Sequence, residues 1–196
     1  YAYSRPFLLS PNEEDRQVMS SLIQRLEFMV WEVEREQLLS ELGDPADLFA
    51  EFDETAIAAA SIGQVHRARL KSGEEVAVKI QYPGIARTIR ADLRNLKASM
   101  RPFLFLRDWQ ATEALFDEIR SGLELETDYE NEANNLRDGR KIFAEDEFVV
   151  VPRVFDAFST RRVLTMEFVE GQSFDGFVVS NPSQEQRDHY GKQISK

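Results

Sequence analysis

The chain has no cysteine among its 196 residues, which excludes disulfides, thiol catalysis and thiolate metal sites. A reducing compartment is compatible with that. Positive charge is also scarce: 24 Lys and Arg stand against 35 Asp and Glu, for a net charge of −11, and the first lysine is Lys71. Nonspecific binding to a phosphate backbone relies on clustered Lys and Arg, so nucleic acid drops out as a partner. Long hydrophobic runs are missing. The longest, such as Phe103-Leu104-Phe105-Leu106, fall far short of the roughly 20 residues that a transmembrane helix needs. No charged-then-apolar leader follows Tyr1, and no internal repeat or low-complexity tract is present. These absences predict a chain that is cytoplasmic or peripheral to a membrane and not secreted, and one that reads as an excised piece of something longer.

What is present suits one globular unit: 42% hydrophobic and 30% charged residues, enough to bury one core with an appended helical layer. Pro11, Asn12 and three acidic residues start a helical pattern over 12–42, with Val18, Leu22, Leu26, Met29 and Val33 near helical period and a possible break at Trp31. It reads as an amphipathic helix packed on the domain. Without lysine on its polar face, it is a poor membrane-surface helix.

From Leu48 the pattern changes to short strands. Residues 65–70 and 75–81 alternate apolar and polar around Lys71-Ser72-Gly73-Glu74, which predicts a hairpin. Val76, Val78 and Ile80 fall on one face, Ala77 and Lys79 on the other. After Tyr82-Pro83-Gly84, helical spacing resumes through Ile89, Leu93, Leu96 and Met100, and again from Ala111 to Ile119. Leu123–Phe143 reads as one helix with Leu125, Tyr129, Leu136 and Phe143 on a face whose middle holds Glu132. Two strands follow, Phe148–Phe155 and Arg162–Phe168, and the polar remainder is helical. Arg187-Asp188-His189 reads as a solvated helix face.

Ala58-Ala59-Ala60-Ser61-Ile62-Gly63-Gln64-Val65 has the spacing of a kinase glycine-rich loop with alanine at its first two glycine positions. Small side chains there let backbone N–H groups approach phosphate oxygens, and a lysine on a following strand neutralises their charge. Lys79 is that lysine. Glu132 needs a partner on its apolar face, which predicts a Lys79–Glu132 ion pair. Taken singly, each has a plainer reading, Lys79 as a solvated strand lysine and Glu132 as a chance intrusion; their order along the chain favours the pair. Met166-Glu167-Phe168-Val169-Glu170-Gly171 then reads as a strand leading into a kinase-type hinge, with Met166 at the back of the pocket and backbone groups of Glu167 and Val169 toward an adenine edge.

The alanine stretch, the Val-Ala-Val-Lys ending at Lys79, the helix Glu126-x-Asp128-Tyr129-x-x-Glu132-Ala133-x-Asn135 and the Met166–Gly171 link together resemble the UbiB family of atypical kinase-like proteins, also called AarF-domain-containing kinases. The resemblance runs from about Leu42 to Gly171. It implies an α+β fold: a protein-kinase-like N-lobe with an antiparallel sheet of about five strands, added N-terminal helices, and a helical insertion between the lysine strand and the Glu-bearing helix. The division it suggests is 1–47 for the helical extension, 48–171 for the lobe with its insertion at about 85–121, and 172–196 for the start of a truncated C-lobe. It further implies ATP or ADP with Mg²⁺ as cofactor, and support of isoprenoid quinone (ubiquinone) biosynthesis by an ATPase or small-molecule kinase. By motif, Ala58, Ala59, Ala60, Ser61, Ile62 and Gly63 cover the phosphates. Val65, Ala77, Lys79, Met166, Glu167 and Val169 complete the nucleotide site, Lys79 and Glu132 act as the catalytic pair, and Glu126 with Asp128 form the family's regulatory Glu-x-Asp motif. The family's Lys-x-Gly-Gln motif is missing.

Phosphoryl transfer also needs a catalytic Asp and metal-binding groups from a C-terminal lobe. Asp175, Asp188 and His189 follow Gly171 without such a motif, so this chain alone is expected to be inactive, with no metal site of its own and the missing lobe and a lipid or quinone-pathway component as partners. Two other readings stay open: a catalytically silent module that binds nucleotide or a partner, and the lobe of a small-molecule phosphotransferase.

Overall fold

The structure, a computed structural model, describes residues 30–100 and 109–194. The expected helix before residue 30, with Val18, Leu22, Leu26 and Met29, and the Phe103–Leu106 run lie outside the described residues. The centre is an antiparallel five-stranded sheet of β1 (Phe49–Phe52), β2 (Ala58–Ala60), β3 (Gly63–Leu70), β4 (Glu75–Gln81) and β5 (Val163–Glu167). The order is β1-β3-β4-β5, with β2 paired to β3. The β3–β4 turn closes through Gly73 N–H to Leu70 O at 2.9 Å. Gly73 sits at φ +104°, in the left-handed region that side chains disfavour.

Directly opposed residues share a face of a sheet, so the register decides what meets what. Val65, Lys79 and Leu164 stand abreast, and beside them Arg67, Ala77 and Met166. The other face carries Val76, Val78, Ile80 and Val163 into a core with Leu38, Phe49 and Trp31. Residues 30–41 form α1 across that core. Its buried positions are Trp31, Glu34, Gln37 and Leu38, whereas Val33 is 46% exposed. The periodicity that put Val33 on the packed face is thus corrected: the helix is turned so that Trp31 and the carboxylate of Glu34 point inward.

The short α2 (Pro45–Leu48) precedes β1, and after β4 come α3 (Ile85–Met100), α4 (Trp109–Glu126) and α5 (Tyr129–Ile142). The single helix expected over Leu123–Phe143 is broken at Thr127 and Asp128. Asp128 leaves helical geometry at φ −123°, ψ 98° and caps α5 by accepting from Glu130 N. Its carboxylate also accepts from Arg161 Nε at 3.0 Å and Nη2 at 2.6 Å. A sequence window cannot distinguish an Asp inside a helix from an Asp capping the next one. The break turns Leu125 and Phe143 outward, 61% and 42% exposed, and leaves Tyr129 and Ala133 buried. Asp128→Ala is expected to cost about 1 kcal/mol through the lost cap, read as a lower urea midpoint. An unchanged midpoint would show that the corner is held by Gln81 Nε2 on Thr127 O alone.

The strand expected over Phe148–Phe155 is an extended segment instead. It meets β5 at an isolated bridge, Val154 with Met166, and Phe148, Val149 and Val150 are exposed. Pro152 has no N–H to donate, and Arg153 N donates to the Glu167 carboxylate at 3.1 Å, so no regular ladder forms. A 3₁₀ turn, Asp156–Phe158, leads on to β5. Beyond β5 lie α6 (Phe174–Val179) and α7 (Gln184–Ile194); Arg187, Asp188 and His189 on α7 are exposed.

Candidate functional site

The alanine stretch is a hairpin rather than a free loop. Ala58, Ala59 and Ala60 lie on β2, opposite Val65, Gln64 and Gly63, and Ser61 and Ile62 form the turn. Ile62 is 8% exposed and packs with Tyr129, Ala133 and Leu164, so its side chain pins the hairpin tip to α5. Its carbonyl accepts from Tyr82 N at 3.0 Å. Gly63 is required by space: a Cβ there would lie 1.9 Å from the Ile80 carbonyl oxygen.

On the same side of the sheet, Lys79 Nζ donates to Glu132 Oε1 at 2.8 Å and Oε2 at 2.6 Å. The ion pair expected from the sequence is therefore present, although Glu132 sits at the edge of the packed face of α5, its side chain 38% exposed, and not in its middle. The ammonium also stands 4.7 Å from the centroid of the Tyr129 ring. A carboxylate and a π-face together fix a flexible cation in one place. Sequence reading missed this use of Tyr129; the signal was the i, i+3 spacing of Tyr129 and Glu132, which puts both on one side of a helix.

Tyr129 is 1% exposed and its hydroxyl has no hydrogen-bond partner. Burial first, then the charge of Glu132 and more distant carboxylates, push its phenol well above the usual range, so the ring stays neutral beside the cation. Tyr129→Phe removes a buried, unpartnered hydroxyl and is expected to leave stability unchanged or raise it by up to about 1 kcal/mol. A urea midpoint below wild type would show that the hydroxyl is hydrogen bonded in solution.

Glu126 and Asp128 do different things. Asp128 is taken up by the cap and Arg161, whereas Glu126 ends α4 in an exposed position. Toward the link, Ala77 is buried and Met166 packs against the cluster around Tyr129. Glu167 N donates to Arg153 O at 2.8 Å, so of its two backbone groups only the carbonyl can face a ligand. Phe168 N donates to Glu75 O at 3.1 Å, and its ring lies under the Arg67 guanidinium at 4.5 Å. Val169 is exposed. Val65, Ala77 and Met166 thus form a small apolar strip, bounded at one end by a fixed cation and a hairpin tip and at the other by the link. That arrangement can take a flat apolar group and an anion side by side. Among the described residues, no group of three or more His, Asp or Glu could hold a metal ion, and no helix is long and apolar enough to cross a membrane.

Residues 21–196 match the model of the ABC1 atypical kinase-like domain. A Dictyostelium discoideum protein named probable serine/threonine-protein kinase abkA is 39% identical over 158 residues, covering 74% of this chain and 28% of that protein. The mitochondrial atypical kinase COQ8B of Danio rerio is 37% identical over 169 residues, covering 85% of this chain and 27% of its own length. A solved structure of Rv3197 in complex with erythromycin, from Mycobacterium tuberculosis, matches with a TM-score of 0.68 at 32% identity, covering 93% of this chain and 46% of that one. The chain spans a third or less of the length of the curated relatives it matches, from 18% to 32%.

Proposed function

This chain belongs to the ABC1 atypical kinase-like family, and from that premise we propose that its sheet binds ATP or ADP as the nucleotide lobe of an atypical kinase or ATPase. Lys79 contacts the α- and β-phosphates, and backbone N–H groups of the Ala58–Gly63 hairpin cover them. The base lies on Val65, Ala77 and Met166, with its polar edge on the Glu167 carbonyl and the Val169 N–H. Glu132 and the Tyr129 ring hold the ammonium in place. Asp128 sets the corner from which α5 presents Glu132, and Glu126 is free to make the regulatory contact that the family resemblance implies.

Magnesium would come with the nucleotide and offset phosphate charge, with its protein ligands supplied from outside the described residues. The whole protein is proposed to support isoprenoid quinone biosynthesis, as an enzyme peripheral to a membrane. The observation that carries this reading is the two-oxygen contact of Glu132 on Lys79 across 53 residues of sequence, which holds the ammonium beside an apolar strip.

The test is calorimetric titration of the full-length protein with ATP and with ADP, each with and without Mg²⁺, followed by product analysis to separate hydrolysis from transfer. Saturable binding at one site per chain is the expected result. Absence of saturable binding by either nucleotide would remove the reading.

A further inference from the structure

On the face of the sheet away from Lys79, His66 and Glu34 are both fully buried, with Nε2 of His66 3.1 Å from Glu34 Oε2. The other ring nitrogen, Nδ1, lies 2.9 Å from the Asp53 carbonyl oxygen. A carbonyl can only accept, so Nδ1 carries a hydrogen, and one further proton lies between Nε2 and Glu34. The imidazole packs against both Trp31 and Phe52, with ring centroids at 5.2 and 5.4 Å, and those two rings stack on each other at 5.2 Å. His66 thereby gathers three elements: α1 through Glu34, the 53–57 loop through Asp53, and β3, on which it sits.

Two of the three lead to the alanine hairpin. The 53–57 loop runs into β2, and its Ile57 N donates to Val65 O at 2.8 Å; β2 itself hangs on β3. A purely apolar helix face can rotate or slide over a core at small cost, whereas a directional bond to a buried ring cannot be kept in more than one arrangement. The contact is not there for packing alone, because Glu34 Oε1 is buried with no partner, which is costly. Burial first, with Glu34 among the charges behind it, holds the Tyr82 and Tyr129 phenols above their usual range, and Tyr129 is the ring under Lys79.

We infer that Glu34 and His66 are a positioning pair: they fix α1 and the 53–57 loop behind β3 in one arrangement and so set the alanine hairpin over the phosphates. The inference rests on the nucleotide reading for its ligand, but its geometry is read independently of it.

The test uses Glu34→Leu/His66→Leu in the full-length protein, since replacing both partners leaves no buried group orphaned. The double variant is expected to melt near wild type, bind ATP about tenfold more weakly, and show faster amide exchange at residues 58–65 than in the rest of the sheet. Wild-type affinity and wild-type exchange at 58–65 in a variant that melts normally would overturn the inference. If the double variant melts early, Glu34→Asp decides: it keeps a carboxylate on α1 but shortens its reach to His66, and exchange should accelerate at 58–65 first. Uniform acceleration across the sheet would count against the pair. If wild type binds no nucleotide, the functional reading fails, and the exchange pattern alone judges the positioning role.

Discussion

Lys79→Ala is expected to weaken nucleotide binding about ten- to a hundredfold, the equivalent of losing charge-assisted hydrogen bonds worth about 1.5–3 kcal/mol. Two effects act together. The cation proposed to face the phosphates is gone, and Glu132, held at 2.6 and 2.8 Å from Nζ, would be left as an anion beside them. Stability should change little, because the Glu132 side chain is 38% exposed and can turn into water once released. Glu132→Gln is expected to weaken binding less, since the ammonium survives and the Tyr129 ring still supports it. In a double-mutant cycle the two substitutions should be strongly non-additive. Isothermal titration of all four proteins measures this. Equal affinity in wild type and Lys79→Ala would take Lys79 out of the site.

Gly63→Ala has the largest expected effect on stability. The new methyl carbon would sit 1.9 Å from the Ile80 carbonyl oxygen and 2.8 Å from the Ile80 carbonyl carbon, and both atoms belong to the backbone of β4, where no side chain can swing aside. Either β3 moves off β4 or the hairpin loses its register. A cost of at least about 2 kcal/mol follows from forced overpacking, a drop of roughly 4–8 °C in melting temperature for a chain of this size. Differential scanning calorimetry reads it. A melting temperature within about 1 °C of wild type would mean that the strand pair has slack at its end.

Much of this was legible in the sequence, and for identifiable reasons. The β3–β4 hairpin was readable because Val76, Val78 and Ile80 alternate with Ala77 and Lys79, and a two-residue period admits one assignment of faces. The Lys79–Glu132 pair was readable because a strand lysine and a helix glutamate came in the right order. What escaped depends on direction in space. Asp128 looks like a helical residue until the chain turns at it. Phe148–Phe155 has strand composition, yet Pro152 and the side-chain contact of Arg153 keep it from a ladder. The Glu34–His66 contact spans 32 residues and follows from how α1 is rotated, which no local pattern encodes; the same rotation explains why Val33 faces solvent. Ile62, readable in the sequence only as a position in a phosphate loop, is the anchor of that loop, because its side chain packs with Tyr129, Ala133 and Leu164, which lie far from it in sequence.

That anchor bears on rates. A free glycine-rich loop can flap open while the rest of a lobe stays still, and a ligand beneath it escapes at the speed of the flap. Here the tip is seated by Ile62 in the same small cluster as Tyr129 and Ala133 of α5, so lifting it exposes Ile62 and loosens the helix that carries Glu132. For a nucleotide bound as proposed, opening the hairpin and releasing the counter-ion of Lys79 would be one event, and dwell time under the hairpin would follow how often that cluster comes apart.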